Sequence, residues 1–272
     1  MSKPLIPAQR RERILEYLAI HKIVSSADLC NILDVSEATV RRDLEWLEND
    51  GVLERTHGGA ILSQRMQFEP EYQFRAQRFM EEKREIGKAA ASLIEDGDIV
   101  FINSGTTTTE LIRYIRSGAN ITVITNNLKA PLEIGEAGCN ILLIGGEFQS
   151  NSNSVAGRFA IDNLSQVYAD KAFIGVDGIS SKHGCTVPIN AEAEVIKLMM
   201  ARTHGPVNIV ADHSKWGIVS NFEVASTNEI DCLVTDDGLS VIAREDLAAN
   251  GIEVLIASSK SSEQRYPSQQ VG

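Results

Sequence analysis

The apolar positions of this chain fall into two regimes. In the first sixty residues they recur with a helical period. Ile14, Leu15 and Leu18 share one face (i, i+1, i+4) and predict a first helix over Gln9 to His21. Ser25-Ser26-Ala27-Asp28 then offers hydroxyl caps, with Asp28 placed three residues after Ser25 as the acid of a capping box. Leu29, Ile32 and Leu33 form a short second apolar face. Asp34-Val35 interrupts it, and Ser36 caps a third helix from Glu37 to about Asn49, with Val40, Leu44 and Leu47 as its core stripe and Gly51 as its end. Val52 to Leu62 reads as two short strands around a turn at Gly58-Gly59, the glycines supplying backbone angles that other residues avoid.

The second regime begins after a stretch with neither period. Ser63 to Tyr72 predicts an irregular linker, set at residues 63–78. From Gln73 a helical pattern resumes, mixing Arg75, Arg78, Lys83 and Arg84 with Phe74, Phe79, Ile86 and Leu93; mixed charge of this kind predicts a solvated face, with a ligand role for Arg75 or Arg78 as the lesser alternative. Seven β-rich runs follow, at Ile99–Asn103, Ile121–Thr125, Ile141–Ile144, Ala172–Val176, Val207–Ala211, Cys232–Thr235 and Val254–Ala257. Helical stretches separate most of them, which specifies a mostly parallel sheet covered on both faces. The expected fold class is α/β: an N-terminal winged helix-turn-helix over residues 1–62, joined to a larger Rossmann-like, mostly parallel α/β domain over 79–258. Residues 259–272, rich in Ser, Gln and Lys, predict a disordered tail.

Composition narrows the function. A chain of 272 residues with 43% hydrophobic content has room for one sizeable core and a smaller module. It has no run of about 20 apolar residues and no apolar signal core behind its first residues, so a cytoplasmic protein without a membrane partner is expected. The four cysteines are scattered, without zinc spacing. Reduced thiols, and no metal or cofactor, are expected. A net charge of −11 opposes indiscriminate nucleic-acid binding. Even the first sixty residues carry eight Lys/Arg against ten Asp/Glu, so any DNA contact must rest on a local patch. The third helix has one: Arg42 and Ala38 fall opposite the core stripe, Thr39 and Arg41 flank them, and Asp43 and Glu48 turn to its sides. Arginine pairs bidentately with guanine and threonine meets a thymine methyl or a phosphate, so this face suits a major groove. Arg55 and His57 on the wing either touch phosphates or are merely solvated.

Val35-Ser36-Glu37-Ala38-Thr39-Val40-Arg41-Arg42-Asp43-Leu44, then Leu47-Glu48 and Arg55-Thr56-His57-Gly58-Gly59-Ala60, resembles the DeoR-type winged helix-turn-helix. The resemblance implies a transcription regulator that binds double-stranded operator DNA through Ser36, Ala38, Thr39, Arg41, Arg42, Arg55 and His57.

In open parallel sheets ligands bind beyond the carboxyl ends of strands. There Ser104-Gly105-Thr106-Thr107-Thr108-Thr109 combines a helix start, hydroxyls and a glycine, a combination suited to an anion. It lacks the lysine of a P-loop and the three glycines of a dinucleotide fingerprint. Asn126 and Asp177 at other strand ends can bond sugar hydroxyls, Lys215 can neutralise phosphate, and Glu192 can approach from a helix start. This set is similar to the sugar-phosphate isomerase fold, of the ribose-5-phosphate isomerase type, the effector domain of DeoR-family regulators. Ser104-Gly105-Thr106-Thr107 resembles the isomerase phosphate loop and Asp212-His213-Ser214-Lys215 its Asp-x-Ser-Lys segment. The isomerase motif Asp-Gly-Ala-Asp-Glu is met only in part, with Ile174 and Gly178 where its outer acids belong. The resemblance implies a phosphorylated-sugar effector bound without turnover and no catalytic residues; an active isomerase with a DNA-binding head is the alternative. Because helix-turn-helix proteins pair reading heads across half-sites, a homodimer or homotetramer joined through the larger domain is expected.

Overall fold

The computed structural model describes residues 5–21, 23–49, 53–56, 58–62, 64–66, 72–116, 120–134 and 138–258. The expected wing residue His57 and the expected disordered tail 259–272 lie outside the described residues.

The small domain packs α1 (Pro7–His21), α2 (Ser26–Leu33) and α3 (Glu37–Asn49) against the sheet of β1 (Ile23–Ser25), β2 (Leu53–Thr56) and β3 (Gly59–Leu62), in the order β1-β3-β2. Its core is the predicted stripe: Ile14, Leu18, Leu29, Leu33, Val40, Leu44 and Leu47, closed by Val24, Leu53 and Ala60. Ser25 caps α2, accepting from the Asp28 amide at 2.9 Å. Asp34 ends that helix in a left-handed conformation, φ 52°, and makes the turn into α3. Two expectations change. Asp43 does not lie at the side of the helix: it is buried and ion-paired to Arg10 at 2.6 Å and Arg11 at 3.3 Å, fastening α3 to α1. Gly59 is required for space, since a Cβ there would lie 2.0 Å from the Val24 carbonyl oxygen across the β1–β3 pair. Gly59 does not adopt the left-handed φ that favours glycine.

Where it is described, at residues 64–66 and 72–78, the segment 63–78 is not irregular. Within it, β4 (Gln64–Met66) pairs in parallel with a strand of the large domain, and α4 (Tyr72–Gln77) forms a helix. Sequence periodicity missed β4 because a three-residue strand has no period to show. The helical pattern from Gln73 is also broken: α4 stops, and α5 (Met80–Ala91) starts after Phe79, whose φ of 53° is rare for a bulky residue.

Seven parallel strands form the large sheet: β5 (Ile99–Ile102), β6 (Thr122–Thr125), β7 (Asn140–Leu143), β10 (Lys171–Ile174), β13 (Val207–Val210), β16 (Cys232–Asp236) and β17 (Glu253–Ala257), in the order β17-β16-β13-β10-β5-β6-β7. Every expected strand is present. On one face, α5, α6 (Thr106–Arg113) and α7 (Lys129–Ile134) pack through Ile86, Leu111, Ile112 and Ala130. On the other, α8 (Arg158–Leu164), α9 (Asn190–Ala201) and α10 (Val241–Ala249) pack through Leu164, Val195, Met199 and Leu247. Short antiparallel pieces decorate this sandwich: the hairpin β8 (Glu147–Gln149) and β9 (Ser154–Ala156), and the sheet of β11 (Gly178–Ser180), β12 (Gly184–Val187) and β15 (Phe222–Ala225). The strand that receives β4 is β14 (Ile218–Ser220). The chain runs outward from β5 through β6 and β7, then returns to the far side of β5 at β10. The switch point of the sheet therefore lies between β5 and β10.

Candidate functional site

At that switch point the carboxyl ends of β5, β10 and β13 open a cavity of about 30 Å³. Asn103, at the end of β5, bridges the gap: its Oδ1 accepts from the Gly175 amide at 2.7 Å and its Nδ2 donates to the Gly175 carbonyl at 2.9 Å. The expected residues Ser104, Gly105, Thr106, Thr107, Asp177, Glu192 and Lys215 all line this one cavity. Around it, the chain turns into α6 with the Thr109 amide donating to the Gly105 carbonyl at 3.0 Å, so the amides of Thr106 to Thr108 precede the first helical bond.

Two expected ligands play other parts. Asn126 is buried, its Oδ1 accepting from the Ser104 amide at 2.8 Å and its Nδ2 donating to the Val155 carbonyl at 3.0 Å; it shapes the loop and does not line the cavity. Thr108 is buried and donates to the Gly105 carbonyl at 3.0 Å. Gly105 itself is extended (φ 166°), and its small size is what counts, because a Cβ would meet the Thr108 hydroxyl oxygen at 3.0 Å.

Sequence reasoning placed Arg75 on a solvated face and kept a ligand role for it or Arg78 only as the lesser alternative. It lines the cavity from α4, its Nη1 3.7 Å from Asp177, while Lys215 lies 3.3 Å from the same carboxylate oxygen. Tyr72, also on α4, hydrogen-bonds the Thr109 hydroxyl at 2.9 Å and so pins this helix over α6. Arg75, Thr106 and Lys215 also line a neighbouring cavity of about 180 Å³, which Arg78, Phe79 and Lys83 share. Lys83 pairs with Asp212 at 3.2 Å. Burial would raise the Asp212 carboxyl, but Lys83, the Ser214 hydroxyl and Lys215 outweigh it and hold it below its ordinary value. Glu192 behaves oppositely: burial lifts its carboxyl above the ordinary value although the Ser152 and Ser154 hydroxyls donate to it. Neither serine carried a signal in the sequence. Basic groups from α4, α5 and the turn after β13 thus converge beside the unbonded amides of a helix start, an arrangement that can hold a phosphate while Asp177 and Glu192 meet hydroxyls.

The turn after β13 faces two ways. Lys215 points to the cavity, whereas His213 hydrogen-bonds Asp236 at 2.6 Å, which raises its imidazole above the ordinary value. His213 also packs edge-on against Phe79, ring centres 4.8 Å apart. These two rings help to line a third cavity, of about 380 Å³, that lies between the domains and is closed by His21, Ile23 and Ile61 of the small one. A second inter-domain contact comes from the wing: the buried Glu54 of β2 accepts from the Ser180 hydroxyl of β11, and burial raises its carboxyl above the ordinary value.

On the small domain, Ser36, Ala38, Arg41 and Arg42 are exposed and Thr39 and Arg55 partly so. The Ser36 and Thr39 hydroxyls pair at 3.0 Å at the start of α3. The Arg55 amide donates to Glu48 at 3.2 Å, joining wing to helix. Arg41 and Arg55 line one open cavity together with Glu37 of α3 and Asp246 of α10, while Arg42 is exposed beside it on α3.

Two family models match the chain: a DeoR-like helix-turn-helix domain over residues 10–65 and a DeoR C-terminal sensor domain over residues 78–237. The repressor GlcR of Bacillus subtilis is 37% identical over 249 residues, covering 91% of this chain and 95% of its own. The regulator GlpR of Haloferax volcanii is 32% identical over 251 residues, covering 92% and 98%. Among solved structures, ribose 5-phosphate isomerase A from Methanocaldococcus jannaschii aligns with a TM-score of 0.37 at 15% identity, over 51% of this chain and 55% of that one.

Proposed function

Since the chain belongs to the DeoR family of helix-turn-helix transcriptional regulators, we propose that it represses carbohydrate-metabolism genes from an operator and that a phosphorylated sugar modulates this binding. The observation that carries the reading is the convergence of Arg75, Thr106 and Lys215 on the cavities at the switch point. The names of two relatives, the repressor GlcR and a putative aga operon repressor of Escherichia coli O157:H7, agree with it. Residues 1–62 serve as the reading head, with Ser36, Ala38, Thr39, Arg41 and Arg42 in the major groove and Arg55 on the phosphates. Residues 79–258 serve as the sensor.

The sensor reaches the head through the segment between them. Arg75 sits on α4, the next described element after β4, and β4 is paired to β14, which directly follows the Lys215 turn. A phosphate that draws Arg75 and Lys215 away from Asp177 displaces the two elements flanking the head's attachment. A ligand shifts the population of head positions only by the difference in its affinity for them, and these two residues are where the difference arises.

Turnover is not part of this reading. Isomerisation needs a carboxylate placed to move a proton between adjacent carbons. At the positions of the outer acids of the isomerase motif, Ile174 is wholly buried in the core, and a Cβ on Gly178 would lie 2.2 Å from the Ile218 carbonyl oxygen. An electrophoretic mobility-shift assay with DNA upstream of the protein's own gene and its neighbours, repeated with a panel of sugar phosphates, tests the proposal. Retardation that one sugar phosphate changes supports it; DNA binding indifferent to the whole panel removes the effector, and turnover in a coupled aldose–ketose phosphate assay restores the isomerase reading. The regulator acts as a homodimer or homotetramer, which brings two heads to one operator.

A further inference from the structure

We propose that the free edge of the seven-stranded sheet, strand β7 with the apolar side chains around it, is the surface on which two copies of this chain meet. The inference rests on the oligomer just described and names its interface.

An all-parallel sheet is normally covered on both faces. The opposite edge obeys this: Val254, Leu255 and Ile256 of β17 are half-buried under α5 and α10. At β7 the rule fails. Leu142 is 48% and Leu143 43% exposed, and successive strand residues point to opposite faces, so an uncovered leucine stands on each side of the same strand. Each side continues the patch. On the face of Leu143, α7 presents Leu132, 79% exposed, while its Ala130 enters the core. On the face of Leu142, Phe148 of β8 and Phe159 of α8 are 60% and 70% exposed. Apolar surface therefore wraps round the edge, and among the described residues no strand pairs with β7 on its outer side.

The area suits a second copy. With a fully exposed large apolar side chain presenting about 200 Å², these five present on the order of 600 Å², most of the roughly 800 Å² per partner that a standard interface buries. The charge also suits it. A two-fold axis sets a patch against itself, so a rim of one sign would repel; here Arg158 stands exposed among Glu147 and Asp162. The small domain docks on the far side of the sheet, where its wing reaches β11 and α10, so this contact leaves both reading heads clear.

Sedimentation velocity of the full chain, with Leu143→Glu, Phe159→Glu and, as a control on another exposed apolar residue, Val241→Glu of α10, tests the proposal. Wild type sediments as a dimer or tetramer. Both edge variants keep native circular dichroism, weaken self-association at least tenfold and halve the mass at working concentration, whereas Val241→Glu changes nothing. Folded edge variants that keep the wild-type mass overturn the interface but leave the oligomer standing. A monomeric wild type overturns both. Self-association that strengthens when residues 259–272 are deleted assigns the edge to the chain's own tail and also overturns the proposal.

Discussion

Replacing Lys215 with methionine tests the sensor most directly. The substitution keeps the length of the side chain and removes the ammonium that lies 3.3 Å from Asp177. Asp177 still has Arg75 at 3.7 Å, so its buried carboxylate is not left without a cation, and the free protein should stay folded with a lowered Tm. A hydrogen bond between charged partners contributes about 1.5–3 kcal/mol, which weakens a phosphosugar by about 10- to 150-fold. Thermal unfolding with ligand reads this out. At a ligand concentration 100 times the wild-type Kd, binding stabilises the wild type by about 2.7 kcal/mol, and a variant weakened about 30-fold retains about 0.9 kcal/mol. The ligand-induced rise in Tm should therefore shrink by about two-thirds. Wild-type affinity in Lys215→Met, or equal protection by the same sugar without its phosphate, would refute the assignment of the phosphate to this end of the cavity.

Arg42→Ala should weaken operator binding by about 1–3 kcal/mol without changing Tm, because the side chain is exposed; fluorescence anisotropy across a salt series shows whether the slope against salt falls as well, as it does when the lost contact is to phosphate. Gly59→Ala should unfold the wing and abolish operator binding while leaving effector binding intact, since its Cβ would lie 2.0 Å from the Val24 carbonyl oxygen; calorimetry of effector binding separates the two. Glu54→Gln should raise Tm at neutral pH. Burial raises the Glu54 carboxyl above its ordinary value of 4.5, so the native state favours the proton and loses stability as pH rises through and above that value. The gain from glutamine should then be absent well below pH 4.5 and grow above it, and a gain independent of pH would show that Glu54 does not titrate on unfolding.

Local signals determined the small domain and the strands of the large sheet, but not their order in it. Apolar residues at i, i+4 and i+7 put Val40, Leu44 and Leu47 inside, and every predicted strand formed, because a strand buried on both faces must be apolar throughout. The loop at Ser104–Thr107 was legible for the same reason: it joins a strand to a helix, and its chemistry is contained in consecutive residues. What the tertiary structure decided depends on partners distant in sequence. Arg75 looked like one charge of a solvated helix until α4 was laid over α6, and Asn126 looked like a ligand until it met Ser104 and Val155. Strand β4 formed because β14, far along the chain at Ile218–Ser220, offered it an edge. Periodicity reports which side of an element is buried, but not which element buries it. The residues linking effector, linker and reading head therefore emerged only when the chain had closed on itself.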